Sequence, residues 1–559
     1  MNTLKLNDLK SEYDKWLELS SGWMRDDLLS LKALSSKAFE DALIERFSQE
    51  SEFGTGGLRS VMRAGKNGIN DFWIVRITQG LSNFVSSTVI AYDTRHHSRA
   101  FAEIAANNLS RNGVDVYLFE MPVPTPMLSY SVTKLACDAG IVITASHNPP
   151  EYNGFKVYDE NGVQYVPKKV DRLKGFFVQC DLLPEDDDYK RGDPEKIHMI
   201  GNEIVDDYFK AVHDELDPLD DSDHGKEEIK VLYTPLHGTG AEFVPPILRH
   251  YGLKTLVVEE QMVHDPNFKT SPEPNPESRE AYQMALEKAE NEKPELIIAT
   301  DPDADRLGVL ALYNGTYKRI NGNELGILLL DYILRKTNIS GKSSDNAVLK
   351  TIVTTDMIIS MSQRYNFKVY QTLTGFKYLG EKNIQLKKEG INTLFSFEES
   401  YGYLYGDHAR DKDAVSTAGL LALMIQEQQT GKNLLARIDQ LRKEFGYYRE
   451  NLLTYKCHGS DGKRKMEAFL KYLRKTKPRE IWGDEVSFRD YRNERGELKD
   501  NVIEFLFKEG EKVTFRPSGT EPKIKAYLSA FSNIPEISSS RLDDLEEKVN
   551  GLFHKKLGD

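Results

Sequence analysis

The chain contains little cysteine and no long apolar run. Its three cysteines are far apart and form no CxxC pair: Cys137, Cys180 and Cys457. Such a sparse, odd set argues against a disulfide framework and favours a reducing compartment. No stretch approaches the roughly 18 apolar residues of a membrane-spanning helix. The N-terminal segment carries scattered charges instead of the apolar core of a signal peptide. We therefore expect a soluble cytoplasmic protein with no membrane association.

The chain also lacks a dominant run of lysine and arginine. Its formal net charge is −13, which argues against nucleic-acid binding. An acidic protein that binds a phosphate ester needs a local basic region at the site. The length of 559 residues predicts about three to five domains at roughly 100–200 residues each. With 39% hydrophobic and 29% charged residues, the composition is that of a globular protein.

Short apolar runs that end in polar, turn-rich clusters recur along the chain. The clusters are residues 144–149, 301–306 and 398–402, and each directly follows an apolar run. Apolar runs that alternate with helical stretches indicate α/β units. In open α/β sheets, ligands bind beyond the carboxyl ends of the strands. All three clusters lie at that position in the predicted sheets.

The two ends of the chain have different patterns. The first 50 residues contain apolar side chains at helical spacing and predict amphipathic helices. From about residue 450, residues 502–507 alternate between apolar and other side chains. A turn at Glu509-Gly510 and a return strand at 513–515 follow. A second alternating stretch covers residues 523–528. This C-terminal part predicts a separate α+β domain.

Three aspartates alternate along one loop after an apolar run. The carboxylates of Asp301, Asp303 and Asp305 can converge on one face of an extended segment. Hard oxygen ligands without cysteine or histidine suit Mg²⁺. Arg306 follows directly and is suited to bidentate phosphate binding. A solvated acidic turn is the alternative interpretation of this motif alone.

Ser146 is a candidate nucleophile that needs activation. It precedes His147, but adjacent residues seldom form a catalytic hydrogen bond, and no GxSxG motif is present. A protease-like triad is therefore a poor explanation of this pair. Lys156 follows ten residues later as a candidate base or phosphate anchor. A plain turn ended by Pro149 is the alternative.

Three further clusters carry polar or glycine-rich chemistry. Residues 516–523 combine cations, hydroxyls and a glycine, a set that can bind a phosphate. Residues 54–59 are rich in glycine but match neither the dinucleotide spacing nor a P-loop. Glu398, Glu399 and Ser400 provide groups that bind sugar hydroxyls. Taken alone, residues 516–523 are also compatible with a plain turn, and residues 398–400 with an exposed acidic turn.

Taken together, these clusters resemble the α-D-phosphohexomutase superfamily, in its phosphoglucomutase/phosphomannomutase branch. TASHNP at 144–149 is similar to the phosphoserine loop, and DPDADR at 301–306 to the metal loop. FEES at 397–400 is similar to the sugar loop, in which the family has glycine at the place of Phe397. RPSGTEPKIK at 516–525 is similar to the phosphate-binding loop. YDTR at 92–95 and NGFK at 153–156 support the match, which runs from about Phe53 to Lys525.

The resemblance implies a four-domain, heart-shaped molecule. Three α/β domains with mixed sheets would occupy residues 1–204, 205–318 and 319–446. A smaller C-terminal α+β domain would occupy residues 447–559. The resemblance also implies an enzyme, an intramolecular phosphotransferase of the phosphoglucomutase type. It would interconvert glucose 1-phosphate and glucose 6-phosphate through phosphorylated Ser146, with glucose 1,6-bisphosphate as activator and intermediate.

The resemblance assigns roles residue by residue. Ser146, Lys156 and Arg59 would be catalytic, and Ser146, Asp301, Asp303 and Asp305 would bind Mg²⁺. The sugar phosphate would contact nine further residues: Arg306, Thr374, Glu398, Ser400, Lys412, Arg516, Ser518, Gly519 and Thr520. Sugar phosphates would be the only partners, and the sequence leaves monomer and dimer open.

Several alternatives remain open. A phosphomannomutase or phosphopentomutase would use the same scaffold, and so would an enzyme that makes a sugar bisphosphate from a donor. A metal-dependent sugar phosphatase with Asp301 as its nucleophile, or a non-catalytic sugar-phosphate-binding protein, belongs to another class.

Overall fold

The computed structural model describes the chain except for residues 1–2, 55, 185–186, 221–228, 338–344, 428–432, 458–461, 477, 484–485, 495–497, 519–522 and 559, and the side chains of 3–5. The chain divides into two compact units. Unit 1 comprises Met1–Arg319 and Gly402–Gln426, and unit 2 comprises Ile320–Tyr401 and Glu427–Asp559. The four domain boundaries expected from the sequence stay a prediction.

Three helices begin unit 1, as the apolar spacing predicts. They are α1 (Thr3–Leu19), α2 (Gly22–Ser30) and α3 (Ser36–Phe47). Their apolar faces share one buried core with the first sheet, and the Trp16 ring lies 5.1 Å from that of Phe72. These helices are therefore an integral part of the first core.

A mixed seven-stranded sheet forms the centre of the first α/β region. Its strands have the order β1-β2-β6-β5-β3-β4-β7. β3 runs parallel to β4 and β5, whereas β6 is antiparallel to β5 and β2. Every residue of β5 is buried, as its apolar sequence predicts. The bounds are β1 (Phe53–Gly54), β2 (Gly57–Val61), α4 (Asp71–Leu81), β3 (Ser87–Tyr92), α5 (Ser98–Arg111), β4 (Asp115–Phe119), α6 (Thr125–Lys134), β5 (Ala139–Ile143), β6 (Tyr152–Asp159), α7 (Pro167–Phe177) and β7 (Ile197–Ile200).

A second mixed sheet completes unit 1, with the order β12-β11-β10-β8-β9. β10 is parallel to β8 and antiparallel to β11, and all its residues are buried. The bounds are α8 (Asn202–Leu216), β8 (Lys230–Thr234), α9 (Gly240–His250), β9 (Lys254–Val257), α10 (Glu259–Met262), α11 (Gln283–Glu292), β10 (Leu296–Thr300), β11 (Leu307–Tyr313) and β12 (Thr316–Ile320). The returning segment of unit 1 adds β16 (Gly402–Tyr405) and α15 (Ala414–Gln426).

Unit 2 begins with an α/β region in which β13 lies between β14 and β15 and is parallel to both. Helix α12 starts with a capping box between Asn321 and Glu324. The bounds are α12 (Gly322–Lys336), β13 (Asn346–Thr351), α13 (Met357–Tyr365), β14 (Lys368–Thr372), α14 (Phe376–Lys388), β15 (Asn392–Glu398) and α16 (Leu434–Phe445).

An antiparallel sheet of order β17-β21-β20-β19-β18 forms the rest of unit 2. In β19, residues 503, 505 and 507 are buried, and β20 pairs Val513 with Phe505, as the alternation and the turn predict. The bounds are β17 (Tyr447–Lys456), α17 (Gly462–Lys475), α18 (Pro478–Trp482), β18 (Val486–Asp490), β19 (Ile503–Phe507), β20 (Lys512–Pro517), β21 (Lys523–Ser532) and α19 (Pro535–Leu557). Among the described residues, none of the helices is long and apolar enough to cross a membrane.

Candidate phosphoryl-transfer site

Ser146 lies in the loop that follows β5, at the carboxyl end of a central strand. Its φ of +52° is left-handed, a conformation that costs a non-glycine residue of order 1–3 kcal/mol. The Ser146 amide donates a hydrogen bond to Thr144 Oγ1 at 2.8 Å. Its hydroxyl donates to Asp301 Oδ2 at 2.7 Å. The turn therefore directs the serine hydroxyl at the aspartate loop.

Arg95 holds the serine loop from behind. Its buried guanidinium donates to the carbonyls of Ser146, Asn148, Pro149 and Tyr152 at 2.5–3.1 Å. Asp93 Oδ2 lies 3.2 Å from Arg95 Nε. The sequence points to Arg95 only as part of the YDTR match. Its acceptors are backbone carbonyls about 50 positions away. Because every residue has such a carbonyl, the sequence does not predict these contacts.

The aspartate loop follows β10 and is compact. The carboxylates of Asp301, Asp303 and Asp305 are buried, and one oxygen from each lies within 4.8 Å of the others. Asp301 Oδ1 accepts the amides of Asp305 at 3.2 Å and Arg306 at 3.0 Å. The predicted convergence of the three carboxylates is therefore present.

A second loop fixes the aspartate loop in place. Thr239 donates its amide to the carbonyl of Pro302 at 2.8 Å. A Cβ added at Gly238 would lie 2.3 Å from Pro302 Cα, so only glycine allows this close approach. The sequence gives no hint of this support, because loop 235–240 carries no recognised motif.

Two lysines face the aspartates. Lys156 Nζ lies 3.0 Å from Asp303 Oδ2, and Lys412 Nζ lies 2.8 Å from Asp305 Oδ2. Burial raises the pKa of the Asp303 carboxyl, but the charges of Lys156 and Lys412 outweigh it and lower that pKa overall. Burial and then the neighbouring carboxylates raise the pKa of Asp301 well above its usual value.

The positive charge does not satisfy every carboxylate oxygen. Oδ1 of Asp303 and Oδ1 of Asp305 are buried and accept no hydrogen bond from the part of the chain that the structure describes. Unpaired buried oxygens are costly, and they are expected where a ligand completes the site. Three buried carboxylates with two such oxygens form a donor set that fits a hard divalent cation. The residues present therefore fit a bound metal ion.

Two arginines lie near the same loops. Arg59 Nη1 donates to Asn148 Oδ1 at 2.8 Å, so β2 is linked to the serine loop. Arg306 Nη1 lies 2.6 Å from Glu277 Oε1, and its Nε lies 3.9 Å from Asp305 Oδ1. Glu277 was not predicted from the sequence, because it is 29 positions from its partner.

His147 is closer to the serine than the sequence leads one to expect. Its Nδ1 lies 3.1 Å from Ser146 Oγ, at hydrogen-bonding distance. Adjacent residues do make contact here because the left-handed φ of Ser146 folds the loop on itself. The serine hydroxyl also donates to Asp301. That the Ser146–His147 pair is not part of a protease-like triad stays a prediction.

The other predicted residues lie in unit 2. Thr374 follows β14 and is buried, and its hydroxyl has no hydrogen-bond partner among the described residues. Glu398 ends β15 and is buried, and Ser400 is partly exposed. Arg516 belongs to β20, and Ser518 follows that strand. Gly519 and Thr520 lie outside the described residues.

Lys377 is a buried cation near this set that was not predicted as a site residue. Burial, and then the charge of Arg516, lowers the pKa of Lys377 to about 8. Lys377 lies three positions after Thr374, and only this short spacing could have identified it from the sequence.

Comparison with known proteins decides the family. Models of phosphoglucomutase/phosphomannomutase α/β/α domains I, II and III match residues 50–179, 206–313 and 321–445. A phosphoglucomutase of Staphylococcus aureus strain N315 is 33% identical over 532 residues, which cover 91% of this chain and 93% of the relative. This chain belongs to the phosphoglucomutase/phosphomannomutase family.

Solved structures of the family share the fold. Parafusin, a phosphoglucomutase from Paramecium in its open form, has a TM-score of 0.67 and 17% identity, and the match covers 91% of this chain and 96% of that one. A family protein from Burkholderia thailandensis has a TM-score of 0.66 and 18% identity, with 90% and 97% covered. Three α/β domains with mixed sheets and a smaller, β-rich fourth domain are thus confirmed. The chain is a mutase, as predicted.

The FEES motif at 397–400 has Phe397 where the family pattern has glycine, and the structure shows how the chain accommodates this side chain. Phe397 is fully buried at the end of β15. A Cβ added at Gly326 in α12 would lie 2.2 Å from the Phe397 ring. The absence of a side chain at Gly326 therefore provides the space for the aromatic ring.

Proposed function

We propose that this mutase interconverts glucose 1-phosphate and glucose 6-phosphate through a phosphoserine at Ser146. The main support is the contact of the Ser146 hydroxyl with Asp301, beside two buried carboxylate oxygens that accept no hydrogen bond within the described part of the chain. A serine at that position can carry a phosphoryl group next to a cation. We propose that the reaction takes place in the cytoplasm.

Asp301, Asp303 and Asp305 would hold Mg²⁺, together with the phosphate on Ser146. When bound, Mg²⁺ would neutralise charge on the transferring phosphoryl group. Lys156 and Lys412 already contact two of the three carboxylates. Oδ1 of Asp303 and Oδ1 of Asp305 accept no hydrogen bond from the described residues and would be available to the ion.

In the transfer step, a sugar hydroxyl would attack phosphorus, and the bond from phosphorus to Ser146 Oγ would break. The hydroxyl proton must then reach Ser146 Oγ or solvent. Lys156 and Arg59 are the proposed groups for proton transfer and charge balance, since Lys156 lies beside Asp303 and Arg59 contacts the serine loop. Positioning and electrostatic stabilisation would supply most of the rate enhancement.

The resulting glucose 1,6-bisphosphate would reorient in the site and transfer its other phosphoryl group to Ser146. Both ends of the sugar must therefore be bound in two alternate orientations. Arg306 and Lys412 border the aspartate loop. The remaining proposed contacts to the sugar and to the distant phosphate are Thr374, Glu398, Ser400, Arg516, Ser518, Gly519 and Thr520.

The choice of glucose is supported by the 33% identity to a phosphoglucomutase over most of both chains. It is tested by measuring kcat/KM for the 1-phosphates of glucose, mannose and ribose, each with its own bisphosphate as activator. We expect glucose 1-phosphate to be preferred by more than about tenfold, or ~1.4 kcal/mol in transition-state binding. An equal preference for mannose, or a preference for ribose, would replace the proposed substrate while keeping the mutase mechanism.

A further inference from the structure

A group of metal-binding side chains lies in unit 1, far in sequence from the aspartate loop. His213 is in the last turn of α8, Asp217 follows that helix, and His250 is the last residue of α9. One ligand atom from each lies within 4.8 Å of the others. The imidazole rings of the two histidines have centroids 4.0 Å apart.

A buried tyrosine orients two of these groups. The Tyr251 hydroxyl lies 3.0 Å from His213 Nδ1 and donates to Asp217 Oδ1 at 2.9 Å. His213 Nδ1 and Asp217 Oδ1 are themselves 4.0 Å apart. Gln426 Nε2 donates to the Tyr251 carbonyl at 3.0 Å, which fixes the tyrosine against α15. Partners that orient a ligand in this way are typical of metal sites.

The helix ends supply an independent attraction for a cation. Helices α8 and α9 have 15 and 11 residues, and the carboxyl ends of both lie at this cluster. Each carboxyl end carries a partial negative charge from its unpaired carbonyls, which stabilises a nearby cation.

We infer that His213, Asp217 and His250 form a second metal site, selective for a borderline divalent ion such as Zn²⁺. Two imidazole nitrogens and one carboxylate oxygen suit Zn²⁺, Co²⁺ or Ni²⁺ better than Mg²⁺. Water would complete four-fold coordination, and the Tyr251 hydroxyl would keep its contacts with His213 and Asp217. Because the ligands come from α8 and α9, the ion would tie these helices together.

The test uses the full chain, stripped of metal and then saturated with Mg²⁺ so that the aspartate loop is occupied. Zn²⁺ binding is measured by calorimetry, Co²⁺ binding by visible absorption, and thermal stability with and without Zn²⁺. We expect one Zn²⁺ per chain and a Zn²⁺-dependent rise in Tm. His250→Ala and, separately, His213→Gln should weaken binding by at least about tenfold and abolish the rise.

Two control variants separate this site from others. His198→Ala removes an exposed histidine that also lies near an aspartate, with 3.8 Å between His198 Nε2 and Asp115 Oδ1. Asp301→Asn alters the aspartate loop. Both should keep the Zn²⁺ affinity and the rise in Tm. Unchanged affinity in His250→Ala, or loss of binding in Asp301→Asn, would overturn the inference.

Discussion

Two clusters of charge in this molecule have opposite properties. In unit 2, Asp356 has both carboxylate oxygens paired, with Lys350 Nζ at 2.6 Å and Lys512 Nζ at 2.9 Å. Lys350 also donates to the carbonyls of Thr354 and Thr355. In unit 1, by contrast, three carboxylates share two lysines, and Oδ1 of both Asp303 and Asp305 accepts no hydrogen bond from the described residues.

The difference separates a charge cluster that needs no ligand from one that a bound cation would complete. An aspartate with both oxygens paired gains little from a ligand, and its removal leaves the buried Lys350 without the anion beside it. Carboxylates with unpaired oxygens keep a cost in the folded protein that a bound cation relieves. Buried charge alone therefore does not identify a site. The aspartate loop is distinguished by carboxylate oxygens that accept no hydrogen bond from the described residues.

The largest expected effect is on the group-transfer residue itself. Ser146→Ala should lower kcat with glucose 1-phosphate by at least about 10⁴-fold, because no side chain would remain to carry the phosphoryl group. Ser131→Ala is the matched control, since its hydroxyl bonds the Met127 carbonyl within α6. Ser131→Ala should keep its activity. A Ser146→Ala variant within tenfold of wild type would contradict the mechanism.

Next in size is the effect on metal binding. Asp303→Asn should weaken Mg²⁺ binding and lower activity by roughly 10²–10³-fold, since it removes one anionic ligand. Asp356→Asn should leave the Mg²⁺ affinity of the folded protein unchanged. Calorimetric Mg²⁺ titration of both variants checks this. Equal Mg²⁺ affinities in the two variants would remove the distinction between the clusters.

For the free energy of unfolding the order is reversed: a substitution in the Asp356 cluster should have the larger effect. Asp356→Asn should lower the free energy of unfolding by about 3 kcal/mol, because Lys350 is fully buried and would lose its anionic partner. Asp301→Asn should leave the metal-free protein at least as stable, since it relieves repulsion among three carboxylates. Urea unfolding without metal measures both. A larger loss in Asp301→Asn would reverse the comparison.

A smaller effect concerns the contact between α12 and β15, where Gly326 lies against the Phe397 ring. Gly326→Ala should destabilise the protein by about 2 kcal/mol, because the new methyl group would overlap the Phe397 ring. In a Phe397→Leu background the same substitution should cost less, with a coupling energy of about 1 kcal/mol. Additive costs in this double-mutant cycle would show that the two residues do not depend on each other.

The smallest effect is a pH dependence of the paired cluster. Burial raises the pKa of Asp356, but Lys350 and Lys512 outweigh it and lower that pKa from 3.8 to about 2. As the pH falls, the unfolded chain takes up this proton first, so the stabilisation present above the unfolded pKa is lost. Between about pH 5 and about pH 3, the stability difference between wild type and Asp356→Asn should narrow by about 1 kcal/mol. A constant difference would contradict this assignment.

Much of the fold and the core of the site follow from local sequence pattern. The apolar runs before residues 144 and 301 become buried strands, and the two polar clusters meet at the carboxyl ends of those strands. The alternation of β19 predicts which side chains it buries. These features are determined by residues close together in the sequence, so the local pattern predicts them.

The remaining features depend on contacts distant in sequence. Arg95 binds four backbone carbonyls, which every residue possesses, so no pattern identifies its acceptors. The contact of Glu277 with Arg306 and the space for Phe397 beside Gly326 arise only when the chain is folded. The same holds for the first three helices, whose amphipathic pattern predicts helices but not the core that they join.

The central claim is that Ser146 carries the phosphoryl group. Peptide mass spectrometry after incubation with glucose 1,6-bisphosphate and Mg²⁺ tests it most directly, with the Ser146→Ala variant as control. The account predicts one phosphate, located on Ser146 and lost on addition of excess glucose 1-phosphate. A phosphate that never appears on Ser146, or that appears equally in the Ser146→Ala variant, would contradict it.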